Sequence, residues 1–143
     1  MAQGQVGLSP PPLTLLPGNG DGTFGFGKSI PSNNTAVDVA AADFNGDGKT
    51  DLVAAAEPPG SAGGNVVEVF FGNGDGTFQP ETDYAVGDGP TSITVADLNA
   101  DAIPDLVVAS QGSNSVFTLL GNGDGSFQTP ASWGLTAFPR SRG

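Results

Sequence analysis

Gly18-Asn19-Gly20-Asp21-Gly22-Thr23-Phe24 returns unchanged as Gly72-Asn73-Gly74-Asp75-Gly76-Thr77-Phe78, and again as Gly121 to Phe127 with Ser126 in place of threonine. Asn-Gly and Asp-Gly accept positive φ between paired strands, so each copy reads as a hairpin turn. The closing phenylalanines, Phe24, Phe78 and Phe127, are expected in the core between repeats. Outward from the turns, a second motif, Asp-x-Asn-x-Asp-x-x-x-Asp-Leu, occupies Asp43 to Leu52 and Asp97 to Leu106. The step from turn to aspartate motif is 25 residues both times, and the step onward to the next turn is 29 and then 24. The difference falls between Glu57 and Asn65, where Pro-Pro-Gly-Ser-Ala-Gly-Gly has loop composition and tolerates insertion.

A period near 50 residues decides the architecture. In this register Val37 to Ala42 aligns with Thr91 to Ala96, and Leu52 to Ala56 with Leu106 to Ser110. Val67 to Phe71 aligns with Val116 to Leu120, and Leu13 to Pro17 with both. Ile30, Tyr84 and Trp133 stand at one shared offset after the turns. These runs are short, rich in β-branched and small residues, and bounded by turn signals; none sustains a helical period. The expected fold is all-β, a partial β-propeller of about two and a half four-stranded antiparallel blades. Residues 13–36 form a half blade, 37–90 a blade and 91–135 a second, with 1–12 and 136–143 as unstructured ends. A closed propeller needs about four to eight blades, and open strand edges invite pairing. The chain is therefore expected to be a piece of a longer protein or to assemble from several copies.

The composition removes whole classes of function. With 23 glycines and 12 prolines the chain borders on low complexity, yet 37% of it is hydrophobic and arranged in runs. The net charge of −11, from 15 acidic against four basic residues, leaves no basic patch for nucleic acid. The absence of cysteine and histidine excludes disulfides, Cys/His zinc sites, thiol nucleophiles and a Ser-His triad. No run is long enough for a transmembrane segment, and Met1 to Pro17 does not read as a signal peptide.

Nine of the twelve aspartates lie in the two motifs, a clustering that suits cation ligands better than solvation. Asp43, Asn45, Asp47 and Asp51 present side-chain oxygens at positions 1, 3, 5 and 9, and the Lys49 carbonyl supplies a fifth donor. Hard oxygens on a flexible turn favour Ca²⁺ over transition metals, and over Mg²⁺ with its rigid octahedron. An EF-hand would need a glutamate at position 12, where Ala54 and Val108 stand, and helical flanks. The second set is Asp97, Asn99, Asp101 and Asp105 with the Ile103 carbonyl. There Ala100 and Ala102 replace both glycines, so positive φ is disfavoured and weaker binding is expected.

Together the two motifs resemble the FG-GAP/VCBS-type repeat, the blade unit of integrin-α-like propellers, over about residues 13–135. The resemblance places both sets of four side chains on that family's calcium positions. It implies a ring of about seven blades, often extracellular, that serves adhesion, binds protein or carbohydrate, or accompanies an enzyme. The function expected is a non-enzymatic, calcium-binding structural or interaction module. The alternatives are a carbohydrate-binding lectin, with Tyr84 and Trp133 as stacking rings, and an accessory module of an extracellular hydrolase. Tyr84 and Trp133 align with Ile30, which favours packing over stacking.

Overall fold

The computed structural model describes residues 13–59 and 65–135. Those residues form ten strands in three antiparallel sheets, each a meander in chain order. The first sheet pairs β1 (Leu13–Leu15) with β2 (Lys28–Ile30). The second holds β3 (Thr35–Ala42), β4 (Asp51–Glu57), β5 (Val66–Phe70) and β6 (Thr82–Ala85). The third holds β7 (Pro90–Ala96), β8 (Asp105–Ser110), β9 (Ser115–Leu119) and β10 (Ala131–Gly134). The all-β, blade-like organisation read from the repeat is present as sheets of two, four and four strands. The expected ends at 1–12 and 136–143, and most of the inserted loop, lie outside the described residues.

Sheet-on-sheet stacking explains the strand compositions. Val53, Ala55, Val67 and Val69 of the second sheet meet Ile93, Leu106, Val108 and Leu119 of the third. Ala54 and Phe70 join Ile30, on the other side, against the first sheet. β4 is therefore covered on both faces, and its Leu-Val-Ala-Ala-Ala run is continuously apolar where a half-solvated strand would alternate. The first strands of the two larger sheets lie side by side, linked by the Ile93 amide donating to Asp38 Oδ2 at 3.0 Å. Both carry a bulge at one repeat position, between Ala36 and Asp38 and between Pro90 and Ser92.

The three turn phenylalanines do not share one fate. Phe127 is 6% exposed and Phe78 is half-buried, but Phe24 is 66% exposed, which corrects its expected place in the core. The second and third turns lean on the sheet that precedes their own, and among the described residues no sheet precedes the first. At the other end Trp133 is 59% exposed while its repeat mates Ile30 and Tyr84 are buried and half-buried, and among the described residues no sheet packs on the far side of the third. Among the described residues the packing role expected for Trp133 is not realised.

One buried charge crosses this stacking. Glu68 stands on β5 opposite Asp83, is fully buried, and accepts hydrogen bonds from the Ser32 hydroxyl and Asn34 amide on the β2–β3 connection. Burial pushes its carboxyl above the ordinary value of 4.5; Asn34 and Ser32 oppose that shift, and the charges of Asp83 and Glu81 add to it. A raised folded-state value means the penalty of ionisation is felt above it and has gone below 4.5. Replacing Glu68 by glutamine is therefore expected to raise Tm at pH 7.5 by roughly 2–4 °C, keeping an acceptor for Ser32 while removing the charge. The gain should vanish near pH 4, as thermal melts across pH will show; an equal gain at both would mean charge is not the cause.

Candidate metal centres

Each aspartate motif forms the loop between the first and second strands of its sheet. In the first loop the Asp43 carboxylate folds inward over the backbone. Its Oδ1 accepts the Gly46 and Asp47 amides at 2.8 and 3.1 Å, and Oδ2 accepts Gly48 at 2.8 Å. Asp43 is held below the ordinary carboxylate range, chiefly by the Gly48 amide. Asn45 and Asp47 continue the turn by accepting the amides two residues on, those of Asp47 and Lys49. Gly46 and Gly48 sit at φ +75° and +81°, the left-handed bend that glycine adopts without strain.

The second loop makes the same bend with alanines. Ala100 and Ala102 have φ +61° and +64°, so they adopt the left-handed region although it is disfavoured for residues with a Cβ. Left-handed alanine costs about 1–2 kcal/mol per residue. Asp97 offsets that cost by accepting the Asp101 and Ala102 amides at 3.2 and 2.9 Å. Asp101 accepts the Ile103 amide at 2.9 Å, as Asp47 does for Lys49.

The ninth residue of each loop has a second function that its spacing does not reveal. Asp51 and Asp105 are fully buried. Asp51 accepts the Phe44 amide on Oδ2 and the Gly72 amide on Oδ1, both at 2.9 Å. Asp105 does the same for Leu98 and Gly121, at 2.7 and 2.8 Å. Each thus ties the loop's entry to the glycine that opens the next turn. Each carboxylate oxygen has two lone pairs, so one amide per oxygen leaves capacity for a cation.

The carboxylates of Asp97, Asp101 and Asp105 each bring an oxygen within 4.8 Å of the others, close enough to share one ion. Asp43, Asp47 and Asp51 do not form such a group, although their loop has the better glycines. Asp43 spends its oxygens on three amides where Asp97 spends them on two. Asn45 and Asn99, and the carbonyls of Lys49 and Ile103, stand at equivalent positions of the two loops. The donors are all hard oxygens, which fits a calcium-type ion. Asp97, Asn99, Asp101, Asp105 and the Ile103 carbonyl would hold it, with water completing the six to eight ligands calcium takes.

A further acidic group, Glu68, Glu81 and Asp83, is absent from any sequence motif. It is assembled across the β5–β6 pair, and the only signal for it is a lone glutamate inside Val66-Val67-Glu68-Val69-Phe70. Its buried member already accepts from Ser32 and Asn34.

The glycine-rich turns are self-contained. In all three the first asparagine's amide nitrogen donates to the Thr or Ser hydroxyl, and that hydroxyl donates to the aspartate. A bridge from the opening glycine to the phenylalanine closes each turn, and its second and third glycines take φ of +86° to +93°. The hydroxyl contact is the main reason Asp21, Asp75 and Asp124 lie below the ordinary carboxylate range. These aspartates serve the turn, as the hairpin reading requires.

Comparison with known proteins agrees with this reading. The FG-GAP-like repeat matches the chain three times, over residues 6–54, 54–108 and 97–143. No curated protein and no solved structure gave a significant match. No helix among the described residues is long and apolar enough to cross a membrane. With three repeats spanning nearly its whole length, the chain belongs to the FG-GAP-like repeat family.

Proposed function

We propose that this repeat module is stabilised by calcium and works as a non-enzymatic interaction unit outside cells. The observation that carries the proposal is the convergence of Asp97, Asp101 and Asp105 oxygens within 4.8 Å on a loop of hard donors. Three carboxylates at that separation repel one another, by about 1–4 kcal/mol per pair between bulk-water and near-surface dielectrics. A divalent ion reverses the sign and fixes β7 against β8. Extracellular calcium modules bind in the roughly 0.1–1 mM range, which matches an exposed loop and a compartment rich in free calcium. The FG-GAP-like repeats support an interaction module, and adhesion or ligand binding is the role proposed for it.

At about 10 mM calcium, mass action adds roughly 1.5–2.5 kcal/mol, so Tm is expected to rise by several degrees. The double substitution Asp97→Asn with Asp101→Asn should abolish that rise. An absence of both calorimetric heat and thermal shift on adding calcium to folded protein would end the proposal. A carbohydrate-binding reading draws on the exposed indole of Trp133; glycan binding with and without calcium separates it from the first.

A further inference from the structure

The two end sheets present the halves of a contact that the chain already makes internally. Phe127 enters a socket on the second sheet between Phe44 and Tyr84, with ring centroids at 5.6 and 5.7 Å in edge-on geometry. Its amide donates to the Tyr84 hydroxyl at 3.1 Å. The turn behind it presses so closely on Phe71 that a Cβ at Gly125 would lie 2.5 Å from that ring. Phe78 of the preceding repeat packs in the same manner against the cluster of Ile30, Leu13 and Leu15.

By repeat register, Leu98, Leu120 and Trp133 of the third sheet occupy the places of Phe44, Phe71 and Tyr84. They line, with Thr118 and Ala131, an open pocket of about 430 Å³. The Trp133 indole is pinned there by its hydrogen bond to Thr118 Oγ1 at 3.0 Å. At the other end of the molecule Phe24, the repeat mate of Phe127, projects into solvent. Leu16, the repeat mate of buried Leu119, is also exposed.

We propose that the Leu98–Leu120–Trp133 socket of one copy receives the Phe24 turn of a second copy, so that chains join head to tail. Continuity with the contact between the second and third sheets identifies the occupant, since plug and socket are both repeated here on surfaces that no other described residue covers. This deepens the interaction-module reading and rests on it; Asn99 of the second aspartate loop also lines the pocket, so the joint is tested in EDTA to keep it separable from calcium. A contact of this kind is heterologous, and it extends a chain of subunits until a ring closes.

The test is sedimentation velocity across a concentration series of the full chain at physiological salt. The wild type should shift from the mass of one chain to at least twice that mass. Phe24→Ser and Trp133→Ser should each remain at one chain, because each removes one half of the joint. An equimolar mixture of the two should form a capped dimer, since the first keeps its socket and the second its plug. Circular dichroism and melting of each variant check folding, and Phe24 lies outside the core of its own chain. A wild type that stays monomeric throughout, variants that associate as the wild type does, or a mixture that stays monomeric would each overturn the proposal. Self-association in EDTA would leave this joint standing even where calcium gives neither calorimetric heat nor a thermal shift.

Discussion

Replacing Asp51 by alanine is expected to cost about 3–5 kcal/mol, measured by urea denaturation in EDTA so that no cation contributes. The Asp51 carboxylate is fully buried and is the partner of two main-chain amides, those of Phe44 and Gly72. Phe44 and Gly72 are themselves buried, so water does not replace the lost acceptor. Each orphaned buried donor costs about 1–3 kcal/mol, which sets the size of the effect. The substitution also frees the start of a turn that sits hard against the loop, where a Cβ on Gly72 would come 2.0 Å from the Thr50 carbonyl. Asp105→Ala should cost less, because Gly121 is buried but Leu98 is 44% exposed and water replaces that lost acceptor. Asparagine at position 51 keeps one acceptor and should lose roughly half as much. A loss below about 1 kcal/mol for Asp51→Ala would show that the clasp is decorative and that metal binding is the residue's main role.

That dual role marks the boundary of what the sequence reveals. The strands, turns and loops were legible because each is a local pattern repeated at a fixed period: Asn-Gly and Asp-Gly at the turns, alternating aspartates at the bends, valine runs between. The clasp from Asp51 to Gly72 spans 21 residues and belongs to no local pattern. The same holds for Glu68, whose hydrogen-bond partner Asn34 comes from 34 residues away. The first loop's glycines argued for the better cation cage, yet the carboxylates converge in the alanine loop. Side-chain hydrogen bonding to the backbone, more than turn propensity, sets where those oxygens point. Phe24 and Phe127 close nearly the same seven-residue string, and only the presence of a preceding sheet decides which is buried. Burial here is a property of position in the array, which local sequence does not encode.

This contrast supplies the second large effect. Phe127→Ala is expected to cost about 3–5 kcal/mol, the range for truncating a well-packed aromatic. Phe24→Ala, in the same motif, should change stability by no more than about 0.5 kcal/mol in dilute solution. Phe78→Ala should fall between them, because Phe78 is half-buried. Phe127 bridges two sheets through Phe44, Tyr84 and its own amide, so its loss weakens the contact between units more than either unit. In a stacked array, weakening one interface uncouples its neighbours. The denaturation curve of Phe127→Ala should therefore broaden, with a lower m-value than the wild type, while Phe24→Ala keeps the wild-type slope. Equal losses for the two phenylalanines would mean that the sheets do not stack in this order. An intact slope for Phe127→Ala would mean that the second and third sheets cooperate chiefly through their valine and leucine faces.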